Sequence, residues 1–309
     1  MSTKSESGTP VACVYGEPLA ELAEVPRGAV QVSPLVPGAV ALEALPAESL
    51  EACVIAAPPG TLERRYALAL ALRALLPGAA LTAMAPKDKG GSRLAGELKA
   101  FGCEVSEIGK RHQRICHVRR PAAPTGLDEA IAGGAPRFVE ALGQWTQPGL
   151  FSWDRPDPGT TLLLEALPAL AGRGADLGCG TGRIAAAVLA HPGVTRLDLI
   201  DLDRRAIEAA QRNVSDPRAA FHQADVRIAP ALEGLDFVVM NPPFHDGGAE
   251  DRGLGQGFIR RAHQMLRKGG ALWLVANRHL PYEAVLTPLF SSVALKAERG
   301  GFKIYEARK

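Results

Sequence analysis

Leu235-Asp236-Phe237-Val238-Val239-Met240-Asn241-Pro242-Pro243-Phe244 joins a short apolar run to a rigid polar and aromatic turn. Phe237 to Met240 has the make-up of a buried parallel strand, and the two prolines continue neither strand nor helix. The chain must therefore stop and turn at Asn241. That puts an amide side chain, carbonyls without ladder partners and an aromatic ring at the carboxyl end of a strand, where open α/β sheets bind their ligands.

Upstream lies a second anchor, Gly174-Ala175-Asp176-Leu177-Gly178-Cys179-Gly180-Thr181-Gly182. It reads as a strand, a carboxylate, glycines at alternate positions and then a helix carrying Ile184, Ala187 and Val188 on one face. Glycines there let the backbone pass close under a ligand. The next strand, Leu197 to Asp201, ends in a carboxylate able to accept hydrogen bonds from both hydroxyls of a ribose. Asp203 points the other way if that strand continues. After a helix with Ile207, Ala210 and Val214 comes strand Ala220 to Ala224, whose end at Asp225 is placed to meet an adenine amino group. Val293–Ala297 and Phe302–Ala307, separated by Gly300-Gly301, read as a closing hairpin.

The first half echoes this pattern. Cys53-Val54-Ile55-Ala56-Ala57-Pro58-Pro59-Gly60 is again a strand ending in a double proline, followed by a helix from Leu62 to Leu75 and the strand Leu81-Thr82-Ala83-Met84. The later copy runs through a helix from Gly257 to Leu266 to Leu272-Trp273-Leu274-Val275. An internal duplication is expected. Ala57 and Gly60 stand where the second copy has Asn241 and Phe244, and no comparable glycine turn lies upstream. The first copy thus reads as scaffold without the chemistry.

The 309 residues suit two domains, and 47% hydrophobic with 22% charged residues is ordinary for a globular protein. The expected division is a disordered tail over 1–10, a degenerate domain over 11–120, a linker over 121–148 and a catalytic domain over 149–309. Arg73 and Pro77 interrupt the apolar run from Tyr66 to Ala85, which reads as a buried helix followed by a strand rather than a membrane span. Residues 1–10 lack an apolar signal region, so a cytoplasmic enzyme is expected. Five scattered cysteines read as reduced, buried thiols without a metal. The net charge of +2 does not by itself imply a nucleic-acid partner. Basic residues do cluster at Lys87, Lys89 and Arg93 and between Lys110 and Arg120, either as phosphate-docking sites or as solvated faces.

Strand–helix repeats with acids at successive strand ends, completed by Asn-Pro-Pro-Phe after the fourth strand, resemble class I S-adenosylmethionine-dependent methyltransferases acting on planar amino or amide nitrogens. Together with Gly149-Leu150-Phe151-Ser152, His245-Asp246-Gly247 and Val275-Ala276-Asn277-Arg278-His279-Leu280-Pro281-Tyr282, these motifs resemble the ribosomal RNA small-subunit guanine-N2 methyltransferase C family from about Gly149 onward. The first half matches poorly, and Trp153 stands where a basic residue is expected.

The resemblance implies two tandem Rossmann-like α/β domains, the first degenerate. It also implies transfer of a methyl group from S-adenosylmethionine to the N2 amino group of a guanine in 16S ribosomal RNA, free or in the assembled small subunit. The implied catalytic residues are Asn241, Pro242 and Phe244. Phe151, Asp176, Gly178, Gly180, Asp201, Asp225 and Asn241 are implied to hold the cofactor, with Phe151 equally readable as domain-junction packing. Phe244, His245, Lys87, Lys89 and Arg93 are expected to meet the RNA. The competing readings are large-subunit RNA as substrate, methylation of DNA adenine N6 or a glutamine amide, and an RNA-binding assembly factor with a vestigial cofactor site.

Overall fold

The computed structural model describes residues 11–228, 232–243, 245–246, 249–250 and 252–309, with backbone alone at 245, 246, 249, 250 and 252. The expected tail over 1–10 lies outside the described residues. The chain divides into two compact units, Met1–Ala135 and Pro136–Lys309.

In the first unit the strands are β1 Ala12–Tyr15, β2 Val30–Gln31, β3 Leu50–Ala56, β4 Leu75–Pro86, β5 Ser106–Lys110 and β6 Gln113–Arg119. Helices α1 Thr61–Ala74, α2 Ser92–Ala100 and α3 Leu127–Gly134 accompany them. The sheet order is β2-β1-β3-β4-β6-β5, with β6 antiparallel to both β4 and β5. The Tyr66–Ala85 run is indeed a buried helix followed by a strand. Leu68, Leu70 and Leu72 of α1 pack in one core with Leu50, Ile55, Leu81 and Phe101.

The second unit starts with a hairpin, β7 Arg137–Val139 and β8 Gln144–Thr146. Then follow α4 Pro158–Ala166, β9 Gly172–Leu177, α5 Arg183–Leu189, β10 Val194–Asp201, α6 Arg204–Asn213, β11 Ala219–Gln223 and β12 Leu235–Met240. A short pair, β13 His245–Asp246 and β14 Ala249–Glu250, precedes α7 Arg252–Met265, β15 Leu266–Asn277, α8 Glu283–Leu289, β16 Ser292–Arg299 and β17 Phe302–Arg308. The main sheet runs β11-β10-β9-β12-β15-β17-β16, with β17 antiparallel to its neighbours. Removing edge strand β11 leaves the same path and the same parallel and antiparallel pairings as in the first unit.

The central strands are buried on both faces, as a covered parallel sheet requires. Val238, Met240, Leu272 and Leu274 pack on one side, and Phe237, Val239, Trp273 and Val275 on the other. This alternation fixes the register, because a one-residue slip would exchange every side chain between the two cores. The pairing Val239↔Asp176 and Met240↔Leu177 brings the ends of β9 and β12 level, so Asn241 and Gly178 leave the sheet side by side.

Residues 121–148 are not a linker. α3 packs along α1, and a Cβ on Gly134 would collide with the Tyr66 ring, so the glycines there permit close helix contact rather than flexibility. The β7–β8 hairpin belongs to the second unit, held by Asn213 through Trp145. All five cysteines are buried and free. Cys13 and Cys53, far apart in sequence, face each other across β1 and β3 with sulfurs 3.0 Å apart. Among the described residues, no helix is long and apolar enough to cross a membrane, and no group of three or more His, Cys, Asp or Glu residues is placed to hold a metal.

Candidate active site

The turn after β9 is made of left-handed glycines: Gly178, Gly180 and Gly182 have φ of 72°, 52° and 83°. The amides of Gly178 and Cys179 donate to the Ile200 carbonyl at 2.8 and 3.1 Å, which ties the turn to β10. Open space lies where a Cβ on Gly180 would project, whereas a Cβ on Gly182 would press into Val214 and Ala210 of the neighbouring helix region. Gly180 leaves room for a ligand, and Gly182 serves helix packing.

Two acids frame this turn. Asp201 accepts the Gly180 amide at 2.9 Å and the Asp203 amide at 3.0 Å, which fixes its carboxylate at the end of β10. Burial pushes its carboxyl up to about 6, against those backbone donors. Asp176 is fully buried on β9; among the described residues its carboxylate oxygens have no partner at hydrogen-bond distance and angle, and the backbone amide of Ala185 is the one donor near enough to favour the charged form. Burial, reinforced by the charge of Asp201, pushes its carboxyl up to about 8. A buried carboxylate left in that state is costly without positive charge or donors.

Asp203 caps α6 through the Arg205 amide and pairs with the Arg205 guanidinium, so it serves the helix. Asp225 stands past the end of β11, held by the Arg227 backbone and guanidinium, whose bonds hold its carboxyl below the usual range. Its remaining lone pairs can still accept from an amino group.

Asn241 opens a cleft of about 370 Å³, with Phe151, Asp157, Pro242, Asn277, Tyr282 and Phe302 among its walls. The Asn241 Nδ2 donates to Asp157 Oδ2 at 3.0 Å and to Thr160 Oγ1 at 2.9 Å. Phe151 is 57% exposed at the rim, a position from which it can cover a ligand. Phe244 lies outside the described residues, as does the side chain of His245, whose backbone pairs with Glu250 in the β13–β14 ribbon.

Asp157 and Thr160, at the start of α4, were not among the expected site residues. An aspartate followed by proline is a legible helix start, but its approach to Asn241 depends on the sheet and is not. Tyr282, quoted above only as part of a motif and given no role there, is 1% exposed, and its hydroxyl has no partner among the described residues. Lys87 and Arg93 are exposed in the first unit, Lys89 is half-buried, and Arg93 reaches Thr61. The Lys110–Arg120 cluster is largely engaged within that unit. Arg111 pairs with Glu21, Arg114 with Glu107 and Arg120 with Glu48, and Arg119 binds the Gly78 carbonyl.

Residues 142–306 match the family model for the methyltransferase small domain. A ribosomal RNA small subunit methyltransferase C of Pseudomonas aeruginosa is 34% identical, over 79% of this chain and 75% of its own length. Its Pseudomonas fluorescens counterpart is 32% identical over 85% and 81%. The chain belongs to the ribosomal RNA small subunit methyltransferase C family. The family member from Shewanella loihica is 38% identical, but the match spans only 52% of this chain and 47% of that protein. A solved T. thermophilus 16S rRNA N2 methyltransferase, in complex with AdoMet and guanosine, has the same fold. Its TM-score is 0.79 at 24% identity, over 96% of this chain and 88% of that one.

Proposed function

We propose that this chain transfers a methyl group from S-adenosylmethionine to the exocyclic N2 amino group of a guanine in 16S ribosomal RNA, in the cytoplasm, on free RNA or the assembled small subunit. The strand register carries the reading: it sets Asn241 beside the glycine turn, so an acceptor nitrogen and a donor held there meet. The buried Asp176 carboxylate, which has no side-chain donor among the described residues, fits a cationic cofactor, and Asp201 and Asp225 fit the hydroxyls and amino group of its nucleoside. Bound S-adenosylmethionine supplies an electrophilic methyl group on a sulfonium sulfur.

The protein's task is to prepare the nucleophile. A guanine N2 lone pair is delocalised into the ring, so the amino group needs acceptors more than a base. The Asn241 Oδ1 and the Pro242 carbonyl each accept one amino hydrogen, which favours a pyramidal nitrogen with its lone pair facing the methyl group. The new N–C bond forms as the S–C bond breaks, and the surplus proton leaves the nitrogen to water. Phe244 stacks on the base, His245 shapes its pocket and Phe151 covers the site, roles that follow from the family resemblance and from the rim position of Phe151.

The matching strand order supports descent of both units from one duplicated domain, with the first retained for structure or for RNA docking through Lys87, Lys89 and Arg93. The test is methyl transfer from labelled cofactor to unmethylated small subunits, large subunits, naked ribosomal RNA, DNA and protein, with the product mapped. Label at a guanine N2 of 16S RNA is expected; label confined to DNA or protein overturns the proposal. Asn241→Ala should lower kcat by at least about 1,000-fold, roughly 4 kcal/mol of transition-state stabilisation, with cofactor affinity kept. Loss of binding in its place would assign Asn241 chiefly to the cofactor cradle, the second role that the family resemblance implies for it.

A further inference from the structure

We infer that Asp157 and Thr160 are positioning residues for the reaction: they lock the Asn241 amide so that its oxygen, and not its nitrogen, is presented to the acceptor. The inference rests on the proposed role of Asn241 and adds what makes that role possible. A primary amide has nearly the same shape in both orientations, and only its hydrogen-bond partners decide which end faces the substrate. A flipped Asn241 would offer a donor to an amino group that already has hydrogens, and it could not accept one.

The partners here settle the choice. An Asp157 carboxylate only accepts, and its Oδ2 stands 3.0 Å from Asn241 Nδ2. Thr160 Oγ1 lies 2.9 Å away and takes the second amide hydrogen. With both hydrogens used, Oδ1 is the end left for the cleft, where it makes no hydrogen bond among the described residues. Turning the amide over would set Oδ1 against a carboxylate oxygen and leave two acceptors face to face. Asp157 is itself held, because Oδ2 also accepts the Thr160 amide at 2.6 Å as the N-cap of α4. Pro158 at the start of α4 fixes that first turn. The helix start is therefore the jig for the reactive amide.

Capping and positioning can be separated. Serine is about as good an N-cap as aspartate, but it is too short to reach Asn241. Asparagine caps equally well and can keep an oxygen toward Asn241 Nδ2. Thr160→Val removes the hydroxyl and keeps the backbone donor. We expect Asp157→Ser with Thr160→Val to lower kcat by about tenfold or more, with KM and cofactor affinity little changed, and Asp157→Asn to keep at least about a third of kcat. Equal losses in the Ser and Asn variants would overturn the inference, since the carboxylate would then act directly on the substrate.

A second readout needs no turnover. The chain has three asparagines, Asn213, Asn241 and Asn277, so selective 15N labelling of asparagine side chains gives three amide pairs by NMR. Asn213 Nδ2 donates to the Trp145 and Thr181 carbonyls and serves as the internal reference for a doubly bonded amide. Asn241 should exchange with solvent as slowly as Asn213 in the wild type, and at least about tenfold faster in the double variant while Asn213 is unchanged. Unaltered Asn241 exchange would overturn the inference. If the wild type transfers no methyl group to guanine N2, the proposed function fails while the exchange measurement still decides the lock.

Discussion

The two Pro-Pro turns sit at corresponding places in their sheets and are satisfied in opposite ways. In the first unit the turn after β3 is closed by Arg64, a fully buried guanidinium that donates to the carbonyls of Pro58 and Pro59 at 3.2 and 2.7 Å. The same guanidinium makes a two-point pair with Glu97 at 2.7 and 2.6 Å and leaves no room for a Cβ on Gly90. In the second unit the turn after β12 opens onto a cleft, and Asn241 has its nitrogen engaged and its oxygen presented. Strand-end carbonyls must find donors. In the first unit Arg64 supplies the donors from inside the fold; in the second, the Asn241 oxygen makes no hydrogen bond among the described residues.

The ends of β2 and β10 differ in the same sense. Gln31 uses Oε1 to accept the amides of Gly16, Val32 and Ser33, and its Nε2 donates back to the Gly16 carbonyl at 2.9 Å. Asp201 also accepts backbone amides, from Gly180 and Asp203, but as a carboxylate it has further lone pairs that can accept hydroxyl donors, the role proposed for it above. An amide that closes on itself is a structural part; a carboxylate in that place can bind.

The contrast can be broken most forcefully at Arg64. Arg64→Leu strands Glu97 and the two proline carbonyls, and should destabilise the first unit by about 3 kcal/mol or more, read by urea unfolding. Cofactor affinity should not change, and a parallel loss would mean that the first unit also holds the ligand.

A smaller effect, of opposite sign, is expected at Asp176. Its folded-state carboxyl lies near 8, above the ordinary 3.8, so the stability linked to it is complete below pH 4 and lost as the pH rises toward 8. Asp201, raised to about 6, adds to the same trend. Asp176→Asn should therefore stabilise the cofactor-free protein by on the order of 2 kcal/mol at pH 8 and hardly at all at pH 4, while weakening cofactor binding about tenfold. Melting curves and calorimetry check both halves; a variant less stable at pH 8 would show that the Ala185 backbone donor outweighs the cost of burying the charge.

Lys87→Glu, Lys89→Glu and Arg93→Glu together should give the smallest effect. We expect a several-fold loss of RNA affinity and a shallower salt dependence, by roughly 0.7–0.9 of a slope unit per phosphate contact removed. Unchanged binding would make the first unit purely structural.

Much of this was legible in the sequence because it depends on local chemistry. The glycine turn, the acids at strand ends and the prolines after apolar runs each force a backbone outcome within a few residues. Residues 121–148 read as linker because the glycine- and alanine-rich α3 and the three-residue strands β7 and β8 carry little local signal, while the packing of α3 on Tyr66 and the bonds of Asn213 to the hairpin are long-range. The basic cluster looked free because Glu21 and Glu48 lie far away in sequence from Arg111 and Arg120. Asp157 and Asn241 are 84 residues apart, and only the sheet brings them together.

Calorimetric titration of S-adenosylmethionine into the full chain decides whether only the second unit binds it. We expect one equivalent bound per chain, weakened about tenfold by Asp176→Asn and untouched by Gln31→Ala. Two equivalents, or a single site that responds to Gln31 and not to Asp176, would contradict this.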